Sequence, residues 1–153
     1  MSNLERVEFK ISLSSEWFRL PPHVQISLDD ELIEDIEVVE KSSASEKQTL
    51  EFSRDLGDGK HYLKIRYLGK EIPDTQIDAN NNITKDHLIN IDSIEIDDIE
   101  LGFLSFQKGI FYPDQAIRPD LPTEIHEMIC IGYNGTWVLE FEVPTYIWFL
   151  ENL

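Results

Sequence analysis

The feature that most constrains this chain is an alternation of apolar and polar residues with a period of two. In the segment RVEFKISL, every second residue from Val7 to Leu13 is apolar, which is the pattern of a β-strand with one buried face. The segment HVQISL repeats the alternation directly after Pro21-Pro22, and the residue before a proline is kept out of helical geometry. The sequence therefore predicts two strands at the start of the chain.

Two further segments extend the β pattern. DDELIEDIEVVEK has apolar residues at roughly helical spacing, but the β-branched Ile33, Val38 and Val39 and the lack of a helix cap favour a strand. TLEFSRDL and HYLKIRYL flank Gly57-Asp58-Gly59, and glycine supplies the positive φ that a tight turn needs. We therefore predict a hairpin about residues 57–59.

Two more hairpins have a self-consistent register. In LINIDSIEIDDIELG, a turn at Asp97-Asp98 places Ile94 and Ile96 on one face with Ile99 and Leu101. Ile89 and Ile91 have the opposite parity, so a bulge is expected near Asp92-Ser93. In EMICIGYNGTWVLEFEV, the dipeptide Asn134-Gly135 predicts a hairpin that sets Gly132 opposite Trp137 and Cys130 opposite Leu139.

These patterns predict the fold class. The segment of residues 103–127 contains three prolines and is interpreted as a strand followed by a long surface excursion. Many short strands in 153 residues, without a repeat or a linker, indicate one all-β domain over residues 1–153. We expect an antiparallel two-sheet sandwich, jelly-roll-like, with little helix.

Net charge, cysteine content and the lack of long apolar runs limit the classes of partner and the location of the protein. The formal net charge is −17, from 30 acidic and 13 basic residues, and such a field repels nucleic acid and anionic membranes. The one cysteine, Cys130, lies in an apolar run and is expected to pack in the core. The N-terminal residues contain no apolar signal core, and no apolar run reaches the length of a membrane span.

The polar segment of residues 74–82 is a candidate metal site. Asp78, Asn80 and Asn82 mimic positions 1, 3 and 5 of a helical calcium loop, and Asp74 stands nearby. Ile83 and Ile89 occupy the positions where that loop needs glycine and a bidentate acid. An Asn-rich connecting turn and a calcium site therefore both remain open, and no other cofactor is predicted.

The C-terminal segment is a candidate assembly interface. PTYIWFLENL places Tyr146, Trp148, Phe149 and Leu150 in one apolar run, which is too apolar to stay free in water. It either closes the domain's own sandwich or docks on another subunit, because aromatic residues are enriched in interface cores.

Catalytic patterns are missing from the sequence. The acids between Asp92 and Glu100 alternate outward along a strand, as on a solvated face, rather than forming the carboxylate pair of a glycosidase. The four histidines are scattered, and no nucleophile elbow or phosphate-binding glycine loop occurs. We therefore expect a protein that is not an enzyme.

Three stretches in order, HYLKIRYLGK, ITKDHLINIDSIEIDDIELG and GYNGTWVLEFEVPTYIWFLENL, resemble uncharacterised β-sandwich proteins of tailed bacteriophages, including cyanophages. The middle stretch is also similar to sandwich modules that bind polysaccharides, some of them with calcium. The phage resemblance implies a structural protein made in the host cytoplasm and placed in the tail, baseplate, fibre or capsid-decorating layer of the virion, where it assembles with other virion proteins or with itself. The second resemblance implies a carbohydrate-binding module in which Trp17, Phe111 or Tyr112 stacks on sugar rings of the host surface.

Overall fold

The structure is a computed structural model, and it describes residues 3–71 and 74–152, with only the backbone at position 106. Thirteen strands and two short helices are found among these residues. The first strands are β1 (Leu4–Glu16), β2 (His23–Leu28), β3 (Glu31–Glu37), β4 (Gln48–Gly57), β5 (Gly59–Leu68), β6 (Gln76–Ile77) and β7 (Ile83–Lys85). The remaining elements are β8 (Leu88–Ile96), β9 (Ile99–Glu100), α1 (Phe103–Lys108), β10 (Ile110–Pro113), β11 (Ile125–His126), β12 (Cys130–Ile131), β13 (Gly135–Val143) and α2 (Thr145–Asn152).

The strands form two main antiparallel sheets. The first sheet has the order β12-β8-β1-β4, with β9 paired to β8, and the second has the order β11-β10-β13-β5-β2-β3. Strands β6 and β7 form a small separate ribbon. Strand accounts for 54% of the chain and helix for 10%, so the prediction of an antiparallel two-sheet sandwich with little helix is confirmed.

The core lies between the inner faces of the two sheets. On β1, Val7, Phe9, Ile11 and Leu13 are at most 2% exposed, while the residues between them are more open to solvent. The inner residues of β13, from Trp137 to Val143, are at most 3% exposed. The alternation in the sequence thus sets the buried faces, because successive side chains of a strand point to opposite sides of a sheet.

The turn at Asp97-Asp98 and the bulge before it are confirmed. Glu95 pairs with Glu100 across the turn, and Asp97 and Asp98 have φ of 52° and 64°, as a type I′ hairpin turn requires. The register between β1 and β8 slips at Asp92, so Ile89, Ile91, Ile94 and Ile96 are all buried despite their mixed parity. Ile99 is 41% exposed and contributes less to the core than predicted.

Two other predicted hairpins are wrong. β4 belongs to the first sheet and β5 to the second, so the chain crosses between sheets at Gly57-Asp58-Gly59. Similarly, β12 pairs with β8 in the first sheet, whereas β13 pairs with β5 and β10 in the second. The glycines permit a sharp reversal, but they do not determine whether the chain returns beside its own strand or crosses to the facing sheet.

Asn134 and Gly135 lie where the chain crosses from the first sheet to the second. Asn134 is 8% exposed, and its amide accepts a hydrogen bond from the Lys70 N–H and donates one to the Lys70 carbonyl, both at 3.0 Å. A Cβ on Gly135 would lie 2.4 Å from the carbonyl oxygen of Tyr112.

The prediction that Cys130 packs in the core is also wrong. Cys130 is exposed on the two-residue strand β12.

The segments of residues 29–41 and 103–127 are closer to their predicted structures. The segment DDELIEDIEVVEK forms β3, as favoured from its β-branched residues. The excursion begins with helix α1 before strand β10, and then crosses the surface to β11. No helix within residues 3–71 and 74–152 combines the length and apolar character needed to cross a membrane.

Candidate functional site

The C-terminal helix α2 presents an apolar face to solvent. Tyr146 is 63% exposed, Ile147 40% and Leu150 79%. The opposite side of the helix is anchored, because Thr145, Trp148 and Phe149 are buried. The spacing of the buried residues, i, i+3 and i+4, is that of an amphipathic helix, and it is the sequence signal that separates the two faces.

The two predicted interface residues on the inner side belong to the domain's own core. Trp148 is 5% exposed and lies edge-on to Phe141, with 6.4 Å between ring centroids. Phe149 is 4% exposed and contacts Trp148. The prediction that Trp148 and Phe149 form an assembly surface is therefore wrong for this fold, because both rings close the sandwich, whereas Tyr146 and Leu150 remain available.

The start of α2 is held by two carboxylates. Thr145 N–H donates to Glu5 Oε2 at 3.2 Å, and Thr145 Oγ1 donates to Asp97 Oδ2 at 2.6 Å. Asp97 Oδ1 also accepts the Glu8 N–H at 2.9 Å. Anionic groups stabilise a helix N-terminus, so Glu5 and Asp97 fix α2 to β1 and to the β8–β9 turn.

The predicted sugar-stacking residues do not form one platform. Phe111 is 0% exposed, so the prediction that its ring is open to a ligand is wrong. Trp17 follows β1 of the first sheet, where the Lys41 ammonium lies 4.6 Å from its ring centre and its N–H donates to the Val39 carbonyl. Tyr112 is 41% exposed on the outer face of the second sheet, and it alone of the three offers an open ring there.

The predicted calcium ligands are engaged by the chain itself. Asp78 Oδ1 accepts the N–H groups of Asn82 and Asn80, at 3.0 and 2.8 Å, and these bonds lower the pKa of Asp78. Asp74 is 4% exposed and accepts Arg19 Nε at 2.9 Å and the Glu71 N–H at 2.8 Å. The segment of residues 78–82 is thus an Asx-type turn that joins β6 to β7.

No group of three or more His, Cys, Asp or Glu within residues 3–71 and 74–152 is placed to hold a metal ion. The structure does place Asp74 and Asp78 in different hydrogen-bond networks. A calcium role for Asp74, Asp78, Asn80 and Asn82 stays a prediction.

Sequence reasoning missed a cluster of partly buried polar residues that links the two sheets. Lys70 Nζ donates to Asp86 Oδ1 at 2.9 Å and to the Gly132 carbonyl at 2.7 Å. Asp86 Oδ1 also accepts Thr75 Oγ1 at 2.6 Å and the His87 N–H at 2.8 Å. Both members of the Lys70–Asp86 pair keep only about 15% of their side-chain surface exposed (16% and 15%).

A cleft of about 340 Å³ opens above this polar cluster, and Ile83, Ile117 and Tyr133 contribute apolar surface to it. The segments HYLKIRYLGK and ITKDH supply Lys70, Asp86 and His87, whereas the cluster also uses Thr75 and the carbonyl of Gly132, which lies 62 positions from Lys70. Alternation of residues reports which face of a strand is buried, and it does not report such long-range polar contacts.

The acid–base properties of the cluster fit a structural role. Burial acts to raise the pKa of Asp86, but the hydrogen bonds from Thr75, Lys70 and the His87 N–H outweigh burial and hold the pKa below its usual value. Burial raises the pKa of Tyr67 and lowers the pKa of His87. Tyr67 and His87 contact each other through the Tyr67 hydroxyl and His87 Nδ1, and the same hydroxyl donates to the His87 carbonyl at 2.7 Å.

Comparison of the chain with protein-family models, with curated proteins and with solved structures finds no match. The similarity to phage sandwich proteins and to polysaccharide-binding modules therefore stays a prediction from the sequence.

Proposed function

We propose that this protein is a non-enzymatic structural component of a bacteriophage particle, and that it assembles with another protein of that particle through the exposed face of α2. The particle is inferred from the sequence resemblance. The mode of action rests on one observation: Tyr146, Ile147 and Leu150 project to solvent from a helix whose other side is fixed in the core. Large apolar side chains that share an exposed face are typical of protein interfaces.

The attachment of α2 favours binding without rearrangement. Trp148 and Phe149 anchor the helix, and Glu5 and Asp97 hold its first residue. A partner would therefore have to order only side chains, which costs about 0.5–1.5 kcal/mol for each flexible side chain, rather than a segment of backbone.

Charge favours a different protein over a second copy. α2 carries Glu151 and no basic residue, and the whole chain has a net charge of −17. Two copies would therefore repel each other. The partner that fits is one with an apolar groove bordered by lysine or arginine.

Four carboxyl groups with shifted pKa values do not suit the acid of a glycosidase. Asp74, Asp78, Asp86 and Asp120 have pKa values displaced below the usual value by hydrogen bonds that outweigh burial where burial opposes them. A glycosidase needs a carboxylic acid with a raised pKa to protonate the leaving group, and these four groups do the opposite.

The test is a binding assay of the purified protein against each structural protein encoded beside its own gene. We expect at least one of them to bind, and Leu150→Asp to weaken that binding by about tenfold or more, which corresponds to roughly 1.4 kcal/mol. Ile77→Asp is the matched control, because Ile77 is 59% exposed on the separate β6–β7 ribbon. Binding to none of the neighbours, or equal losses in the two variants, would refute the proposal.

A second candidate function, glycan binding, is favoured by one row of residues on the outer face of the second sheet. Tyr112 pairs with Thr136, Thr136 with Arg66, Arg66 with Gln25, and Gln25 with Asp35. An open aromatic ring beside hydrogen-bonding side chains is the combination that sugar rings require.

A glycan array with and without calcium tests this second candidate. Binding that disappears in Tyr112→Ala and persists in Tyr146→Ala would support it, since Tyr146 is an exposed tyrosine on α2. An array without signal in both conditions would eliminate it.

A further inference from the structure

One side of the sandwich is open, where the outermost strands of the two sheets face each other. β4 ends the first sheet and β3 ends the second. Arg54 Nε donates to Glu31 Oε1 across this opening at 2.9 Å. A cavity of about 470 Å³ lies there between the β2–β3 turn and the end of β4.

The backbone groups on the outer edge of β4 can be identified from the register. Asp97 N–H donates to the Glu8 carbonyl at 2.8 Å, so the backbone of Glu8 faces β8. In an antiparallel sheet the direction alternates, so Phe9 faces β4 and exchanges hydrogen bonds with its partner Phe52. The backbone groups of Thr49, Glu51, Ser53 and Asp55 therefore point away from β1.

A side-chain contact supports this assignment. Arg54 Nη1 donates to the Ser53 carbonyl at 2.8 Å, as expected for a carbonyl that a side chain can reach from the outer edge, so this one outward carbonyl is already engaged. No strand within residues 3–71 and 74–152 pairs with this outer edge of β4. The edge is ten residues long, which is long for an edge strand without a partner strand.

The core is incompletely covered on the same side. Leu50 and Phe52 of β4 and Ile33 and Ile36 of β3 are only partly buried, although they pack against the core. The Phe52 ring stacks on Phe9 with 4.8 Å between centroids. A strand added beside β4 would place every second side chain over this surface and would bury it.

The charges beside this opening indicate which side chains an added strand would carry. β3 carries four acidic residues, Glu31, Glu34, Asp35 and Glu37, and no basic one; Glu31 pairs with Arg54 of β4, and Asp35 contacts His23 of β2. On β4, Glu51 and Asp55 point outward with 71% and 54% of their side chains exposed, and each contacts a base of β1, Lys10 at 3.8 Å and Arg6 at 3.3 Å. These bases and Arg54 leave the group of six acids with a net negative charge. A second copy would bring the same negative charge to this opening, whereas lysine or arginine side chains would be attracted to it.

We propose that the outer edge of β4 accepts an extended segment of another protein as an added strand, and that in this segment apolar residues alternate with lysine or arginine. Backbone hydrogen bonds would supply affinity, and the alternating side chains would supply specificity. The proposal uses none of the residues of α2 and does not depend on the proposed assembly surface.

The probe is a synthetic peptide of about ten residues in which valine alternates with lysine, long enough to span β4 at ~3.4 Å per residue. Amide hydrogen exchange is measured on the whole protein with and without the peptide. We expect the peptide to slow exchange at Thr49, Glu51, Ser53 and Asp55, and to leave Leu50 and Phe52 nearly unchanged because β1 already protects them. A peptide with glutamate in place of lysine should bind at least about tenfold more weakly, since like charges across a strand pair repel.

Matched variants at one position test the backbone contact. Ser53→Pro removes an N–H that points outward, a position where an edge strand tolerates proline, and Ser53→Ala keeps this N–H. We expect Ser53→Pro to lose about tenfold or more in peptide affinity and Ser53→Ala to bind like the unmodified protein. If Ser53→Pro does not fold, the exchange pattern of the unmodified protein decides.

Three results would overturn the proposal. One is the absence of protection at the four outward amides, and another is equal binding of the lysine and glutamate peptides. The third is a dimer in sedimentation experiments that Ser53→Pro converts to monomer, which would make a second copy the occupant of the edge.

Discussion

His61 joins two loops at one end of the sandwich. Its Nδ1 lies 2.8 Å from Asp29 Oδ2 and its Nε2 lies 2.6 Å from the Gly57 carbonyl. Both partners are acceptors, so the doubly protonated ring satisfies both. Burial acts to lower the pKa of His61, but the bonds to Asp29 and Gly57 outweigh burial and raise the pKa above its usual value.

The raised pKa predicts a pH-dependent contribution to stability. The contribution is complete below the unfolded-state pKa of about 6.5 and disappears as the pH rises through the folded-state pKa. His61→Gln should therefore lower the free energy of unfolding by about 1 kcal/mol more at acid pH than at alkaline pH. Urea titrations at about pH 5.5 and about pH 8.5 measure this difference.

His126→Gln is the control for the His61 experiment, because 56% of the His126 side chain is exposed. The comparison must be made between variants, since burial lowers the pKa of His87 and gives it the opposite sign. An equal loss of stability at both pH values would contradict the charged state assigned to His61.

The close packing around Gly135 predicts that the first residue of β13 must lack a side chain. The Cβ of Gly135→Ala would lie 2.4 Å from the Tyr112 carbonyl oxygen and 2.7 Å from the Phe111 ring, and neither can move without disturbing the sheet. We expect a loss of roughly 2 kcal/mol or more. Gly57→Ala is the control, because nothing lies within 4 Å of its Cβ, and its stability should change by less than about 0.5 kcal/mol. Equal thermal unfolding of the two variants would refute the requirement.

At the scale of elements, local pattern determines which residues form a strand and which face is buried. The Asp97-Asp98 hairpin was predicted correctly because its strands pair with each other across a two-residue turn of positive φ. The crossings at Gly57 and Asn134 could not, because partner strands are chosen by contacts distant in sequence. The position of β4 at the edge of its sheet could not be predicted for the same reason, because the residues of a strand do not indicate its place in the sheet order.

The exposed residues of α2 were predicted in part. Tyr146 and Leu150 are exposed, as a contact surface requires, whereas Trp148 and Phe149 are buried. An apolar run by itself does not distinguish a flexible tail from an amphipathic helix. The helical spacing of Thr145, Trp148 and Phe149 separates the buried residues of the run from the exposed ones.

The two faces of α2 predict a large loss of stability for truncation on the buried side and almost none on the exposed side. Trp148→Ala removes a buried ring that contacts Phe141 and should lower the free energy of unfolding by about 3 kcal/mol or more. Leu150→Ala removes a side chain that is 79% exposed and should change stability by less than about 0.5 kcal/mol. Calorimetry on both variants checks the prediction, and a large loss in Leu150→Ala would mean that α2 is oriented differently.

At the scale of the whole molecule, net charge opposes the compact state. Thirty acidic residues against 13 basic ones leave −17, and folding brings these charges together. Many ion pairs are exposed, such as Arg6–Asp55 and Lys60–Glu140, and exposed pairs contribute little to stability. Repulsion among the unpaired acids should therefore outweigh the attraction of the pairs.

This balance predicts that salt stabilises the protein. Raising the ionic strength from about 0.01 M to about 0.15 M shortens the Debye length from about 30 Å to about 8 Å, which screens repulsion across the molecule. Closer, partly buried pairs such as Lys70–Asp86, at 2.9 Å, are screened much less. The Tm measured by calorimetry at pH 7 should rise over this range of sodium chloride, and potassium chloride should act alike because screening depends on ionic strength. A Tm that falls with salt would show that the ion pairs dominate, and the acids on the strand faces would then be part of what holds the sandwich together.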